Sequence, residues 1–312
     1  MISVLSDCRL CPRRCRVNRT RAEKGYCGAG VLPKIALVSL HHGEEPCLSG
    51  SGGAGTVFFS HCNLHCHFCQ NHKISQEGYG REVSIDRLAE IFCEQEQRGA
   101  HNVSLVTPTQ FTPQIIEALR TAKQQGFSLP VVYNTNGYET VETVEMLGPW
   151  VDIFLPDLKY AANDYSITYS EGPGYFHYAS RAIAKMVELT GPPRFDDQGI
   201  MQKGVIVRHL VLPGLRKDSQ RILDWLWQTF GHTVYISLMN QYTPLYNAGQ
   251  HQELNRTVTT REYDRLIEYA LTLGIENAFI QEGRATGSQF VPSFNLAGVL
   301  NPAEGHPTLT GP

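Results

Sequence analysis

Three cysteines stand close together at Cys62, Cys66 and Cys69, directly after an apolar run of strand length. Thiolates at this spacing on one loop can reach a single soft metal centre. An iron–sulfur cluster is usually held by four thiolates, so a set of three leaves one iron with an open position where a ligand can react. The position after a strand and the apolar Phe68 favour such a cluster. The alternative from spacing alone is zinc completed by a neighbouring histidine: His61, His65 or His67.

A second cysteine set lies near the N-terminus, at Cys8, Cys11, Cys15 and Cys27. In a reducing compartment, clustered cysteines indicate metal binding and not disulfides. Four thiolates suit either zinc or a second iron–sulfur cluster, and the spacing does not decide between them. Basic residues crowd this segment. We interpret them as balancing the negative charge of metal-bound thiolates, with an RNA or acidic-partner patch as the alternative.

Polar residues follow several predicted strands, and they form a second group of candidates: Thr107, Thr109, Asn134, Asn136, Asp157, Lys159 and Arg208. A carboxylate such as Asp157 can accept hydrogen bonds from ribose hydroxyls, and an ammonium such as Lys159 can bind a carboxylate. A surface ion pair is the alternative for these two residues. For the asparagines the alternative is an Asn-Gly turn, and for the threonines a strand end that binds nothing.

Arg208 can bind a carboxylate through two parallel hydrogen bonds. Since side chains alternate along a strand, only one of Arg208 and His209 can face the interior of a barrel, and we expect His209 to be a buried, hydrogen-bonded histidine. Glu44 and Glu45 precede Cys47 and are expected to belong to a solvated polar loop, with a position near the barrel mouth as the alternative.

These candidates need a scaffold, and the rest of the chain supplies alternating strand-like and helix-like segments. Nearly continuous apolar runs predict strands buried on both faces. Helix-like spacing between them predicts βα units around a parallel sheet, with the active site at the carboxyl ends of the strands. The strands are predicted at 56–60, 103–107, 131–134, 151–155, 204–212, 233–238 and 278–281.

The overall prediction is an α/β chain with a partial (βα)6-type barrel. We divide it into a Cys-rich metal-binding extension over 1–50, the barrel over 51–283 and a partly packed tail over 284–312. The 312 residues carry 27 Lys+Arg and 30 Asp+Glu, a near-neutral balance that argues against a dedicated nucleic-acid binder. The absence of a long apolar run and of a signal-peptide pattern predicts a cytoplasmic protein that does not enter membranes.

The spacing CxxxCxxC with an aromatic residue before the last cysteine resembles the signature of radical S-adenosylmethionine (SAM) enzymes. The stretch GTVFFSHCNLHCHFCQN, together with NTNGYET, DIFLPDLKY and VRHLVLPG, is similar to the branch of pyruvate formate-lyase activating enzymes. The resemblance implies a [4Fe–4S] cluster on Cys62, Cys66 and Cys69. Its open iron would bind SAM, which is cleaved reductively to methionine and a 5′-deoxyadenosyl radical that abstracts a substrate hydrogen.

The resemblance also implies roles for other residues. It places Asp157 and Lys159 near SAM and the substrate, as catalytic and cofactor-binding residues. From the cysteine loop we add Phe68 and Asn71 as cofactor contacts, and from the polar strand ends we add Thr107, Thr109, Asn134, Asn136 and Arg208, with Thr107 or Thr109 as substitute acceptors where the family pattern is missing. The chain departs from the family after the second predicted strand, where Val-Thr-Pro-Thr-Gln replaces the Gly-Gly-Glu of many members.

An activating enzyme would act on a glycyl radical enzyme or another protein substrate and would take electrons from a flavodoxin or ferredoxin. Two alternatives remain open. One is radical SAM modification of a small molecule, a peptide or an RNA. The other is a metal or redox module that has kept the fold without its catalysis.

Overall fold

The structure is a computed structural model that describes residues 2–281 and 292–301. The strands are β1 (Lys34–His41), β2 (Ala54–Phe59), β3 (Arg81–Glu82), β4 (Asn102–Val106), β5 (Val131–Thr135), β6 (Ile153–Pro156), β7 (Arg194–Phe195), β8 (Met201–Leu210), β9 (Tyr235–Met239) and β10 (Ala278–Ile280). The helices are α1 (Pro46–Ser49), α2 (His72–Ser75), α3 (Ile85–Gln97), α4 (Thr112–Gln124), α5 (Val141–Leu147), α6 (Asn163–Ser170), α7 (Tyr175–Thr190), α8 (Arg216–Phe230) and α9 (Thr260–Leu273).

The strands form one sheet in the order β10-β9-β8-β6-β5-β4-β2-β1-β3, with β7 paired beside β8. From β2 to β10 the main path is parallel. β1 adds to β2 antiparallel, and β3 adds to β1 in the same way. Within the described residues the end strands β10 and β3 do not pair with each other. The predicted partial α/β barrel with a Cys-rich N-terminus is therefore confirmed.

The sheet is buried on both faces, as the apolar runs predict. On its outer face the helices complete the main core. Helix α3 begins after Ser84, whose side chain accepts a hydrogen bond from the backbone N–H of Arg87. Such a cap satisfies a donor that the first helical turn leaves free. On its inner face Val132, Leu155 and Ile206 pack together.

The segment between β1 and β2 fills part of the barrel interior. Cys47 and Leu48 of α1 pack against the inner-face residues Val132, Leu155 and Ile206. The Asn102 side chain donates a 2.8 Å hydrogen bond to the Leu48 carbonyl and fixes this segment in place. A strand's side chains alternate, so residues two positions further along β5, β6 and β8 face the same interior.

Only 292–301 of the tail predicted over 284–312 lies within the described residues. There Phe294 packs edge-on against Phe58 of β2, with ring centroids 5.6 Å apart. Among the described helices, none is both long enough and apolar enough to cross a membrane.

Candidate active site

The three cysteines of the loop after β2 line one cavity of about 560 Å³ at the carboxyl ends of the parallel strands. The loop is tied down by its backbone: the N–H groups of His65 and His67 donate to the carbonyls of Ser170 and Tyr169. Phe68 packs edge-on against Tyr242, with ring centroids 5.6 Å apart. Two of the thiols, Cys62 and Cys66, are more than nine-tenths buried.

Each of the three sulfur atoms has a polar neighbour. The Asn136 side-chain amide lies 3.2 Å from Cys62 Sγ, and the Ser170 hydroxyl lies 3.0 Å from Cys66 Sγ. The Ser75 hydroxyl lies 3.2 Å from Cys69 Sγ. Hydrogen bonds of this kind orient thiolate ligands and tune the metal that they hold. The donor set therefore fits an iron–sulfur cluster.

Burial raises the pKa of the Cys62 thiol to about 12 and that of Cys66 to about 11. A metal centre would have to displace these protons, as thiol ligation always does. In the described part of the chain, no three Cys, His, Asp or Glu side chains are gathered closely enough to hold a single metal ion.

A charged network of Asp157, Lys159 and Arg208 lines the same cavity. Lys159 Nζ donates to Asp157 Oδ2 at 2.6 Å, and Arg208 Nε donates to Asp157 Oδ1 at 3.1 Å. A second Arg208 nitrogen donates to Asn134 Oδ1 at 2.6 Å. Burial acts to raise the pKa of Asp157, but Lys159 and Arg208 outweigh it and hold that pKa below its ordinary value. The carboxylate is thus ionised and mostly buried, and the pair is not a surface ion pair.

Glu44 and Glu45 reach this cavity from the segment before α1, where the sequence predicted a solvated loop. That expectation is wrong because the segment turns into the barrel. The Glu44 carboxylate lies 3.5 Å from Arg208, and its side chain is 11% exposed. Burial raises the pKa of Glu44 to about 7, although Arg208 opposes the shift. The apolar residues Cys47 and Leu48, which follow soon after Glu45, are the sequence feature that could have indicated a buried segment here.

Most of the other predicted cofactor contacts also line the cavity: Phe68, Asn71, Thr107, Asn134 and Asn136. Thr107 has a positive φ of 56°, a conformation uncommon outside glycine, which marks the abrupt end of β4. Thr109 is not brought to the cavity. It is buried behind the wall, where its hydroxyl donates to Glu139.

Glu139 is a buried acid that the sequence analysis did not single out. Hydroxyls of Thr109, Thr135 and Tyr133 surround its Oε1, while its Oε2 has no hydrogen-bond partner among the described residues. Burial raises the pKa of Glu139 to about 7 against the opposing effect of these hydroxyls.

His209 is buried and hydrogen-bonded, as expected. Its two ring nitrogens lie 2.7 Å from the Leu158 carbonyl and 2.9 Å from the Ser219 hydroxyl.

The four N-terminal cysteines line a separate, small cavity of about 20 Å³. Arg13 and Arg19 line it as well, and the backbone N–H of Tyr26 lies 3.4 Å from Cys15 Sγ. The structure thus places the four cysteines around one cavity. In the described structure their sulfur atoms are not close enough together to hold one metal ion.

The extension contacts the cysteine loop of the main cavity. Arg13 Nε donates to the Asn63 carbonyl at 3.0 Å. The Asn63 side chain accepts a 2.7 Å hydrogen bond from Asn136, which also contacts Cys62. Arg13, which lines the cavity of the N-terminal cysteines, thus links the extension to the loop of Cys62.

Comparison with known families decides what kind of protein this is. Residues 56–226 match the model of the Radical SAM superfamily, more than half of the chain. This chain belongs to the radical SAM superfamily. Membership implies an enzyme that uses a [4Fe–4S] cluster and SAM. The matched region begins within β2 and contains Cys62, Cys66, Cys69, Asp157 and Arg208.

Individual proteins similar to this chain were also found. An uncharacterized protein of Methanocaldococcus jannaschii is 31% identical over 276 residues, which are 86% of this chain and 75% of that protein. A domain of pyruvate-formate lyase-activating enzyme from Bacteroides vulgatus is 17% identical, over 58% of this chain and 99% of that chain, with a TM-score of 0.44. Streptococcus suis SuiB bound to SAM is 15% identical, over 72% and 48% of the two chains, with a TM-score of 0.47. Scores this low carry no argument about activity.

Proposed function

We propose that this protein cleaves SAM reductively and removes a hydrogen atom from a substrate held in the main cavity, with the cluster bound by Cys62, Cys66 and Cys69. When bound, the cluster and SAM supply the one-electron reduction and the hydrogen-abstracting radical. The observation that carries the proposal is that the thiols of Cys62, Cys66 and Cys69 and the Asp157–Lys159–Arg208 network line a single cavity.

The chain's own residues position the reactants. Lys159 and Arg208 offer cationic donors to the carboxylate of SAM, while Asp157 holds both cations and can accept a ribose hydroxyl. Asn136, Ser75 and Ser170 act on the sulfur atoms of the cysteine ligands. Apolar side chains such as Phe68 complete the lining and exclude water, which protects a reactive intermediate from side reactions.

As the finer function we propose activation of a glycyl radical enzyme, with a flavodoxin or ferredoxin as electron donor. The support is the resemblance of the cysteine loop, NTNGYET, DIFLPDLKY and VRHLVLPG to activating enzymes. The open sheet is compatible with a polypeptide segment at the cavity mouth. Action on a small molecule, a peptide or an RNA is the second candidate.

The experiment is an anaerobic assay of 5′-deoxyadenosine with reduced protein and SAM. We expect wild-type protein to form it and Cys66→Ala to form none, with Cys93→Ala as the matched control because Cys93 lies outside both cysteine sets. Retained turnover in Cys66→Ala would refute the cluster assignment. A stable glycyl radical on an added glycyl radical enzyme would support activation, and cleavage that responds only to a metabolite or RNA pool would contradict it.

We further propose that Cys8, Cys11, Cys15 and Cys27 hold a metal centre, zinc or a second iron–sulfur cluster, after rotation of their side chains. Arg19 supports this site. It is 1% exposed and donates only to backbone carbonyls of Gly30 and Gln110, and no described carboxylate forms an ion pair with it. Buried charges are normally paired. Metal-bound thiolates in the cavity that Arg19 lines would provide the missing negative charge.

A further inference from the structure

The main cavity has an acidic corner to which the SAM contacts proposed above assign no direct role. It is formed by Glu44 and Glu45, which stand between β1 and α1. Both line the cavity. Leu48 and Cys47 of the same segment are packed into the barrel interior, so the two carboxylates are held by a fixed backbone.

One carboxylate oxygen of Glu45 lacks a hydrogen-bond partner among the described residues. Glu45 is 8% exposed, and this oxygen is its Oε2. It stands at the N-cap position of α1, but its side chain does not cap that helix. A buried, unpaired carboxylate oxygen costs free energy unless a ligand satisfies it.

The nearest cations are already engaged. Arg208 donates to Asp157, Asn134 and Glu44, and Lys159 donates to Asp157. The charged side chains of the described cavity lining are three carboxylates against these two cations, apart from His41, whose pKa is lowered by burial. The lining is therefore short of one positive charge when all three acids are ionised.

Apolar side chains lie in the same lining: Phe58, Val106, Leu210 and Met239. They suit an aliphatic chain, while the acidic corner suits its charged end. Taking the cavity as the substrate site of the proposed function, we propose that Glu44 and Glu45 bind a protonated amine or guanidinium at the end of an aliphatic substrate chain. Such a charge can come from a free alkylamine or from a basic side chain of a peptide.

The test is calorimetric titration of anaerobically purified protein with n-butylammonium and, separately, with n-butanol. We expect the ammonium to bind at least about tenfold more tightly than the alcohol, since only it can pair with the carboxylates. Glu45→Gln should remove most of this difference, while Glu276→Gln, at an exposed position, should keep it. A second arm compares an acetylated Gly-Lys-Gly amide with its Gly-Gln-Gly counterpart to identify the source of the cation.

Equal binding of ammonium and alcohol by wild-type protein would overturn the inference, and this comparison requires no variant to fold. Unchanged ammonium affinity in Glu45→Gln would overturn it as well. The titration does not depend on turnover. If wild-type protein cleaves SAM but does not prefer the ammonium, only the proposed amine binding by Glu44 and Glu45 is refuted. If wild-type protein does not cleave SAM, the proposed function is refuted.

Discussion

At the scale of single residues, Asp157 determines the charge balance of the cavity. It holds Lys159 and Arg208 at hydrogen-bond distance, and its side chain is 13% exposed. Replacing it with asparagine leaves two mostly buried cations without their shared partner. We expect Asp157→Asn to lower the free energy of unfolding by about 3 kcal/mol, the cost typical of breaking a buried ion pair. Urea unfolding measures it, with the exposed Asp264→Asn as control. A loss no larger than the control's would contradict this account of the network.

Ser170 contacts a cysteine sulfur and a buried tyrosine of the core. Its hydroxyl lies 3.0 Å from Cys66 Sγ and 2.7 Å from the Tyr160 hydroxyl. Loss of such a contact behind a metal ligand typically weakens metal binding by about 10- to 100-fold. We expect Ser170→Ala to release iron to a chelator correspondingly more easily, while Ser51→Ala, at an exposed position, does not. Equal iron loss from the two variants would show that the hydroxyl has no such role.

Glu139 makes stability depend on pH. Its pKa is raised by burial from 4.5 to about 7, so between these values the folded protein binds more protons than the unfolded chain. We therefore expect the contribution of Glu139 to the free energy of unfolding to fall as pH rises from about 5 to 8, by up to about 3 kcal/mol. Glu44 contributes with the same sign.

Unfolding of Glu139→Gln at pH 5 and pH 8 measures this contribution. We expect the fall in stability between the two pH values to be smaller than in wild-type protein. The Glu276→Gln control should keep the full fall, because its carboxyl is exposed. A variant whose stability falls as steeply as that of wild type would rule out Glu139 as the titrating group.

At the scale of elements, the N-terminal extension is built into the site. Leu10 accepts a hydrogen bond from Thr143 at the start of α5, and Arg13 contacts the loop of Cys62. If its cysteines hold a metal, Cys11→Ala should remove that metal and lower the unfolding midpoint by about 4 °C or more. Cys93→Ala should change neither. Unchanged metal content and midpoint in Cys11→Ala would exclude a metal centre there.

The regular elements were largely predictable because their patterns are local. All seven predicted strands overlap observed ones. β1, α1 and α6 were not predicted. α1 has only four residues, too few to show a helical period, and its direction into the barrel depends on packing against β5, β6 and β8.

At the scale of the whole molecule, the open sheet explains how distant residues form one site. Parallel strands deliver Asn134, Asp157 and Arg208 to the same edge, so these could be predicted from strand ends alone. Glu45 and Glu139 could not, because their burial depends on how loops fold over the sheet. Thr109 was predicted as a cofactor contact because it follows a strand. The chain turns after that strand, and the Thr109 hydroxyl donates to Glu139 instead of reaching the cavity.

The central claim is that Cys62, Cys66 and Cys69 hold a cluster that binds SAM. The most direct test is electron paramagnetic resonance of the anaerobically purified, dithionite-reduced protein, recorded with and without SAM. The account predicts a reduced-cluster signal that SAM changes in wild-type protein and that is lost in Cys66→Ala. A reduced-cluster signal that SAM leaves unchanged, or its persistence in Cys66→Ala, would contradict the account.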